Sequence, residues 1–240
     1  MIWIVIQIGC LGIEDRVQEK EQGLDEEFGS IYCRLLSSHQ ASYSTSNQEL
    51  LYEFDGEYNW NNLRAELIWY DTMNSQTLYT GHIQLNDNKC AEELRVNSTT
   101  GYSYTTHTEH IEADWCKVSR LEIDYDDPTM NDAVTNYSWD GNRQESGDGY
   151  SEYNDMGYVT KTFSYSDETE YLYEYDCDNY WCKTTRTITD GIVTDNQWDG
   201  NTMLLENGSY YIYNQYGALL ETQILNDTST TEVYSEFDCQ

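Results

Sequence analysis

The stretch from Tyr171 to Cys182, YLYEYDCDNYWC, predicts a strand, a tight polar turn and a second strand. Side chains alternate across a strand with a period of two, so Tyr171, Tyr173 and Tyr175 should share one face. The turn is predicted from side chains that bond their own backbone, namely those of Asp176, Asp178 and Asn179. The stretch therefore indicates a β-hairpin with a ladder of tyrosines.

Versions of this stretch recur along the chain. Near copies are YEFDGEYNW at 52–60 and YSEFDC at 234–239. A longer segment beginning WDGN at Trp139 is matched by one beginning WDGN at Trp198, 59 positions later. The tripeptide WCK at Trp115 and again at Trp181 suggests a degenerate earlier copy, 66 positions upstream. Self-similarity at a regular spacing predicts a tandem repeat with units of about sixty residues.

Short Tyr- and Thr-rich runs separated by turn residues predict an all-β protein. Many of these runs carry polar residues on both faces, which favours an antiparallel meander or coiled sheet over a sandwich with a dry interior. The run LRAELIWY at 63–70 also has helical propensity, and GEYNWNN at 56–62 is read as a turn. The only proline lies in the loop at 126–132, where a divergent half, 31–127, should give way to a regular half, 128–240, within one continuous repeat domain.

The aromatic-Asp/Asn-turn-Gly steps resemble the YD repeats of bacterial RHS-type surface proteins and of small secreted bacterial lipoproteins. Examples in this chain are Trp139-Asp140-Gly141, Trp198-Asp199-Gly200 and the Asn turns ending at Gly157 and Gly217. The resemblance covers about residues 52–240, but the long arrays and self-cleaving segment of large RHS toxins are absent. It implies an antiparallel β architecture and a location in the cell envelope.

The charge balance excludes one class of partner. With 12 basic and 44 acidic residues the formal charge is −32, so a nucleic-acid partner is not expected, because phosphate binding needs a basic surface. A high net charge together with few Leu, Ile, Val and Phe residues would by itself argue for disorder. The 23 Tyr and 7 Trp residues argue for a folded sheet instead, because aromatic side chains bury large areas and favour strands.

The first ten residues, MIWIVIQIGC, resemble the end of a lipoprotein signal peptide, in which lipid is attached to a Cys that follows a small residue. Cys10 is thus the predicted lipidation site, although no basic residue precedes the apolar run and Gln7 replaces the usual Leu. The alternative is a buried first strand with a free Cys. Residues 11–30 are acidic and read as a flexible tether, with a short amphipathic helix as the competing interpretation.

The remaining six cysteines suit disulfides in an oxidising compartment. They are Cys33, Cys90, Cys116, Cys177, Cys182 and Cys239. Sequence alone does not fix their connectivity, but Cys177 and Cys182 flank one turn. Cys90 with Cys116, and Cys33 with Cys239, then remain by proximity and elimination. A metal half-site at the CxxxxC spacing is the alternative, but a second half is missing.

Candidate chemistry is sparse. His107 and His110 form one cluster, but residues three apart on a strand face opposite ways, so a zinc site is disfavoured. No cofactor is expected, although calcium could bind the carboxylates of 124–132 or those at 176–179. A general acid and base could come from the acidic residues of the same two places, namely Asp124, Asp126, Asp127, Asp176 and Asp178.

Aromatic side chains at turns are the remaining binding candidates, because they can stack on sugar rings or anchor a protein. They are Trp60, Trp139, Trp181 and Trp198, and the alternative is that each packs against a neighbouring repeat. The expectation is an exported, lipid-anchored, non-enzymatic envelope protein with a structural role or a protein or glycan ligand. A secreted carbohydrate-active or metal-dependent hydrolase is the alternative.

Overall fold

The computed structural model describes residues 33–99, 101–111, 116–177 and 181–239. Within these ranges the chain consists of antiparallel strands joined by turns, as the all-β prediction required. The predicted signal segment 1–10 with Cys10 and the tether 11–30 lie outside the described residues. So do Trp115 and the tip of the 176–179 turn.

The described residues form twenty strands that follow one another in sequence. The first six are β1 (Cys33–Ser44), β2 (Leu50–Asn61), β3 (Arg64–Asp71), β4 (Gln76–Leu85), β5 (Ala91–Ser98) and β6 (Tyr104–His110). The next seven are β7 (Val118–Tyr125), β8 (Ala133–Asn136), β9 (Ser138–Asp140), β10 (Arg143–Ser146), β11 (Gly149–Tyr153), β12 (Val159–Ser164) and β13 (Glu170–Cys177). The last seven are β14 (Cys182–Thr189), β15 (Ile192–Asp195), β16 (Gln197–Asp199), β17 (Thr202–Leu204), β18 (Tyr210–Tyr213), β19 (Leu219–Leu225) and β20 (Ser229–Cys239).

Nearly every strand pairs with its sequence neighbours. A 13-stranded sheet runs β16 to β20 and continues through β1 to β8, and a 7-stranded sheet runs from β15 to β9. The two sheets are linked twice, because only Tyr137 separates β8 from β9 and only Asn196 separates β15 from β16. The last strand, β20, pairs along β1. The larger sheet therefore contains both the first and the last strand of the described chain, side by side.

The apolar core lies on one face of β2 to β5. The cross-strand register aligns Tyr58 with Leu67, and Ile83 with Leu94, so that their side chains project to the same side. These residues form one buried cluster with Leu85 and Val96. Full burial of each such side chain contributes about 1.5–3 kcal/mol. We call this the apolar face, and the opposite side of the same strands the polar face.

The neighbouring strands β1 and β20 bury hydroxyl groups instead of aliphatic side chains. Ser42 is 1% exposed, and its hydroxyl accepts a hydrogen bond of 3.2 Å from Thr231. The Tyr52 hydroxyl lies 3.5 Å from that of Thr231 and accepts a hydrogen bond from Gln40. The thick aliphatic core that the composition could not supply is replaced here by hydrogen-bonded polar side chains.

Three local predictions can be compared with the observed strands. The run with helical propensity is strand β3, because its Leu67 belongs to the buried face. The turn predicted at 56–62 is wrong, since β2 continues through Gly56 to Asn61. Gly56 serves packing there, because a Cβ atom at this position would lie 2.7 Å from the Trp69 ring. The predicted half boundary falls in the turn between β7 and β8, which pair with each other.

Candidate functional site

Three similar arrangements, which we call the Trp corners, recur in the fold. Each consists of a basic residue that directly follows a disulfide-bonded Cys, and a Trp that is the last residue but one of a strand, before a tight turn. The corners are Arg34 with Trp60, Lys117 with Trp139, and Lys183 with Trp198. The last two Trp residues stand at the start of the two copies predicted from the sequence.

The indole nitrogen makes the same hydrogen bond in every corner. Trp60 Nε1 donates to the Leu35 carbonyl at 2.8 Å, Trp139 Nε1 to the Val118 carbonyl at 2.7 Å, and Trp198 Nε1 to the Thr184 carbonyl at 2.9 Å. The accepting residue is always the second one after the Cys. A tryptophan N–H that is withdrawn from water needs such a partner.

The basic residue lies over the indole ring. The Arg34 guanidinium carbon is 5.6 Å from the centre of the Trp60 ring, and the Lys117 ammonium is 5.3 Å from that of Trp139. Lys183 lies 5.6 Å from the Trp198 ring and donates to the Gly200 carbonyl at 2.9 Å. Cation–π contacts of this kind are worth about 0.5–1 kcal/mol at exposed sites. They hold the tight turn against the strand that follows the Cys.

The turn after each Trp needs a left-handed residue. Asn62, Gly141 and Gly200 occupy this position with φ values of 55°, 57° and 58°. Glycine adopts such angles without a steric cost, and asparagine tolerates them better than most residues. This geometry explains the recurring aromatic-Asp-Gly and aromatic-Asn-Asn sequences.

A disulfide adjoins each corner. Cys33 is bonded to Cys239, Cys90 to Cys116, and Cys177 to Cys182. The six cysteines predicted to form disulfides thus do so, in the pairing expected from proximity and elimination. The bridges connect the strand that opens a corner with an earlier part of the chain or, for Cys33, with its last strand.

An asparagine-centred turn lies against each disulfide. The Asn154 side-chain oxygen accepts from the backbone of Met156 and Tyr158, and its amide lies 3.8 Å from Cys182 Sγ. Asn214 repeats this turn, and its amide donates to Cys239 Sγ at 3.3 Å. Asn86 accepts from the backbone of Cys90 at 2.9 Å. The Asn turns thus help to place the bridges.

The four tryptophans predicted as stacking platforms are used within the fold. Trp181 is 4% exposed and packs against Trp198 and Tyr213, with ring centres 5.7 and 5.1 Å away. It has no ring face open to a sugar, so the assignment of Trp181 as an exposed stacking residue is wrong. Trp60, Trp139 and Trp198 are half-buried. Each has its indole nitrogen and a ring face engaged in a corner.

The polar face carries a row of histidines and carboxylates. His82 Nε2 lies 2.5 Å from Glu93, and His107 lies 3.5 Å from Glu93 and 3.7 Å from Asp124. The hydrogen bond from His82 is the largest cause of a lowered pKa for the Glu93 carboxyl. His110 instead bonds the Ala91 carbonyl at 2.8 Å. His107 and His110, which both belong to β6, therefore bind different partners on β5 and β7.

A shallow cleft of about 340 Å³ lies between β1, β2 and β20. His39 Nδ1 contacts Asp55 at 2.7 Å within it, and Glu57, Tyr234 and Glu236 also line it. The Asp55 side chain is 47% exposed, so water screens its charge. The cleft gathers carboxylates but does not remove them from solvent.

The acidic residues of 124–132 bind different protein groups. Asp126 contacts Arg95 at 3.3 Å, Asp127 accepts from Thr129, and Asp132 accepts from the Tyr125 backbone. The Thr129 hydroxyl is the main cause of a lowered pKa for Asp127. Throughout the described ranges, no group of three or more His, Cys, Asp or Glu side chains is placed to hold a metal ion.

One feature of the corners escaped sequence reasoning. The Cys-Lys pairs at 116–117 and 182–183 were visible as WCK, but Cys33-Arg34 was not joined to them. The signal that would have found it is a Cys followed by any basic residue, with a Trp some 16–27 positions later. The lengths of the intervening hairpins differ, which hides the third copy from a search at a fixed period.

Comparison with known proteins identifies no family for this chain. No protein-family model matches the chain, and no curated protein matches it. Among solved structures, a porin-like protein from Bacteroides uniformis aligns with 85% of this chain and 98% of its own, at 10% identity and a TM-score of 0.37. A likeness of this size supports no inference. Within the described residues, no helix is long and apolar enough to cross a membrane.

Proposed function

We propose that this chain is an exported, non-enzymatic β-repeat protein, anchored to the cell envelope through lipid on Cys10, with a structural or binding role. The observation that carries the proposal is the set of three disulfides, one beside each Trp corner. Disulfides persist in oxidising compartments and are rare in the cytosol. A chain that uses all six described cysteines in this way fits an extracytoplasmic location.

The repeat part of the proposal extends the sequence prediction from two copies to three. Each unit begins at the Cys of a corner, namely Cys33, Cys116 and Cys182. Counting β8 with β9 and β15 with β16 as single strands, each unit contributes six strands. The spacing of about sixty residues applies between Trp139 and Trp198, whereas the first unit is longer because β3 and β4 are long. This arrangement is compatible with a degenerate member of the YD-repeat group.

The non-enzymatic part rests on how the polar side chains are used. Each corner engages its Trp and basic residue in structural contacts, and the carboxylates of the 124–132 loop cap backbone groups or pair with Arg95. The alternative, a secreted hydrolase, is favoured only by the cleft with Asp55 and Glu236. Hydrolysis of a glycan that is lost in both Asp55→Asn and Glu236→Gln, with unchanged folding, would establish that alternative.

The export proposal can be tested by expressing the gene with its native upstream region. Intact mass and a non-reducing peptide map should give a diacylglyceryl group on Cys10 and the three bridges. A Cys10→Ala variant should lose the lipid and leave the membrane fraction, while keeping the bridges. Unmodified Cys10 together with free thiols at the other six positions would refute export.

A further inference from the structure

Strand β15 has one open edge. Among the described residues it pairs with β14, from Thr189 opposite Ile192 to Arg186 opposite Asp195, and with no other strand. Its continuation β16 pairs on the other side, with β17. The chain thus changes partners at Asn196, and residues 192–195 are left with an unpaired side.

The backbone groups on that side can be assigned from the ladder. The Asn196 N–H donates to the Thr185 carbonyl of β14 at 2.8 Å. Successive residues of an antiparallel strand direct their N–H and C=O groups alternately to the two sides, so Thr194 also faces β14. Val193 and Asp195 therefore direct two N–H and two C=O groups toward the open edge. Such a row is a template for an added strand.

The first repeat unit supplies the missing strand from its own chain. There β3 pairs along β2 from Arg64 opposite Asn61 to Asp71 opposite Phe54. Glu57, three residues before Trp60, pairs with Ser37 on one side and Ile68 on the other. In the third unit the equivalent strand is β17, which ends at Leu204 and pairs with β16 and β18 but not with β15.

The comparison of the first and third units shows which kind of segment fits the open edge of β15. Asp195 stands three residues before Trp198, as Glu57 stands before Trp60, but within the described part of the chain it pairs with Arg186 on β14 alone. The position beside it corresponds to the one that Ile68 to Asp71 occupy in the first unit. An antiparallel strand of about four residues therefore fits the edge without any change of fold.

The side chains at this edge describe the chemistry of the partner. All four residues of β15 are exposed, and Ile192 at 71% and Val193 at 54% are the two most exposed large apolar side chains of the described chain. Asp195 keeps 66% of its side chain exposed although it contacts Arg186. The whole chain carries a charge of −32. This charge attracts cationic partners and opposes a second copy.

We propose that the open edge of β15 binds an extended, basic peptide segment of another protein by strand addition. The partner would alternate apolar residues, which pair with Val193 and cover its side chain, with Lys or Arg residues on the other face, whose aliphatic stems cover Ile192 and whose charges face the acidic surroundings. Strand β8 offers a second edge of the same kind, because it pairs only with β7 in the described chain and leaves Val134 49% exposed. This inference rests on the proposed binding role and names the class of ligand.

The first test is hydrogen exchange of the full chain with an acetylated, amidated octapeptide of alternating Lys and Val. The amides of Val193 and Asp195 should exchange fast in the free protein and slowly in the complex, whereas that of Thr194 should be protected in both. A peptide of alternating Lys and Pro has the same charge but lacks half of the N–H donors. It should bind at least about tenfold more weakly, since each lost hydrogen bond costs about 1 kcal/mol.

Variants of the edge give an independent test. Val193→Pro removes an outward N–H and leaves the ladder to β14, because proline is tolerated on the solvent side of an edge strand. It should weaken binding about fivefold, for the loss of one hydrogen bond. The matched control, Val193→Thr, keeps the backbone donor and should bind within about twofold of the parent. Val134→Pro makes the same change at β8, so combining it with Val193→Pro should weaken binding at both edges by this factor.

Four results would overturn the proposal. These are equal binding of the Lys-Pro peptide, unchanged affinity of the double variant, protection of Val193 and Asp195 in the free chain at every concentration, and protection that grows with protein concentration. The third result would mean that the chain covers its own edge, and the fourth that a second copy does. Envelope location is read separately, from lipid on Cys10, so peptide binding can fail while the proposed export stands.

Discussion

The three disulfides should differ in their contribution to stability according to the length of chain that each closes. Cys33–Cys239 spans 206 residues, Cys90–Cys116 spans 26 and Cys177–Cys182 spans 5. A crosslink removes conformational entropy from the unfolded chain, and the amount grows with the logarithm of the loop length. Replacing both cysteines of a bridge by Ala should therefore lower the free energy of unfolding by about 5, 3.5 and 2 kcal/mol, in that order.

The three disulfides are buried to a similar degree, so the stabilities of their double variants can be compared directly. Each has at least one nearly buried member, with Cys33 at 5%, Cys90 at 6% and Cys182 at 4% exposure. The small cavities left by Cys→Ala are thus similar, and differences among the three variants report mainly on the loops. The largest effect is expected at β1 and β20, because their pairing joins the two ends of the described chain.

Urea unfolding followed by tryptophan fluorescence measures the effect. With an m value of about 3 kcal/mol/M, the midpoints should fall by about 1.7, 1.2 and 0.7 M for the three double variants. A non-reducing peptide map must first establish that the other two bridges persist in each variant. Equal decreases, or a larger decrease for the bridge at 177–182 than for the one at 33–239, would refute the loop-closure argument.

Other variants examine the third Trp corner. Gly217→Ala should lower the free energy of unfolding by about 1–3 kcal/mol, because the added Cβ would lie 2.8 Å from Trp181 Cβ. Gly191 has the same φ of 81° but open space around it, so Gly191→Ala should lower it by about 1 kcal/mol. Urea unfolding measures both effects. Trp198→Phe keeps the ring but removes the indole hydrogen bond, so it should cost about 1 kcal/mol in the same assay; an unchanged midpoint would contradict the corner geometry. Burial raises the pKa of Tyr213 to about 12, so the fold favours the neutral phenol. The neutral phenol therefore contributes to the free energy of unfolding fully below pH about 10, and this contribution should be lost as the pH rises toward 12. The urea midpoint of Tyr213→Phe should thus depend less on pH over this interval than that of the parent. Parallel profiles would contradict the raised pKa of Tyr213.

Much of the strand pattern could be predicted from the sequence. The runs IVTDNQWD at 192–199 and YVTKTFSY at 158–165 are strands in the structure, and the aromatic-Asp-Gly steps are tight turns. Alternation of side chains and turn chemistry act over a few residues, so they can be read without knowing the fold. The error at Gly56 has the opposite origin, because the need for glycine there comes from the Trp69 ring on a neighbouring strand.

The candidate site was less accessible to such reasoning. The sequence indicated aromatic residues at turns but not their use, and Trp181 is buried because the turn at Gly217, 36 positions later, packs on its ring. Arg34 joins Trp60 in a corner across 26 positions of a hairpin with its own length. The distances that define a corner depend on pairing between strands, which local patterns do not specify.

The sequence by itself determined the chemical style of this protein: acidic, Tyr-rich, all-β, repeated, and with six paired cysteines. Those features depend on composition, on alternation with a period of two and on turns of a few residues. Only the tertiary structure decided that β20 pairs with β1, that Trp60 belongs to the same set as Trp139 and Trp198, and that β15 has one edge without a partner strand among the described residues. An edge is open when no partner strand is long enough to cover it, and that depends on the lengths of neighbouring hairpins throughout the fold.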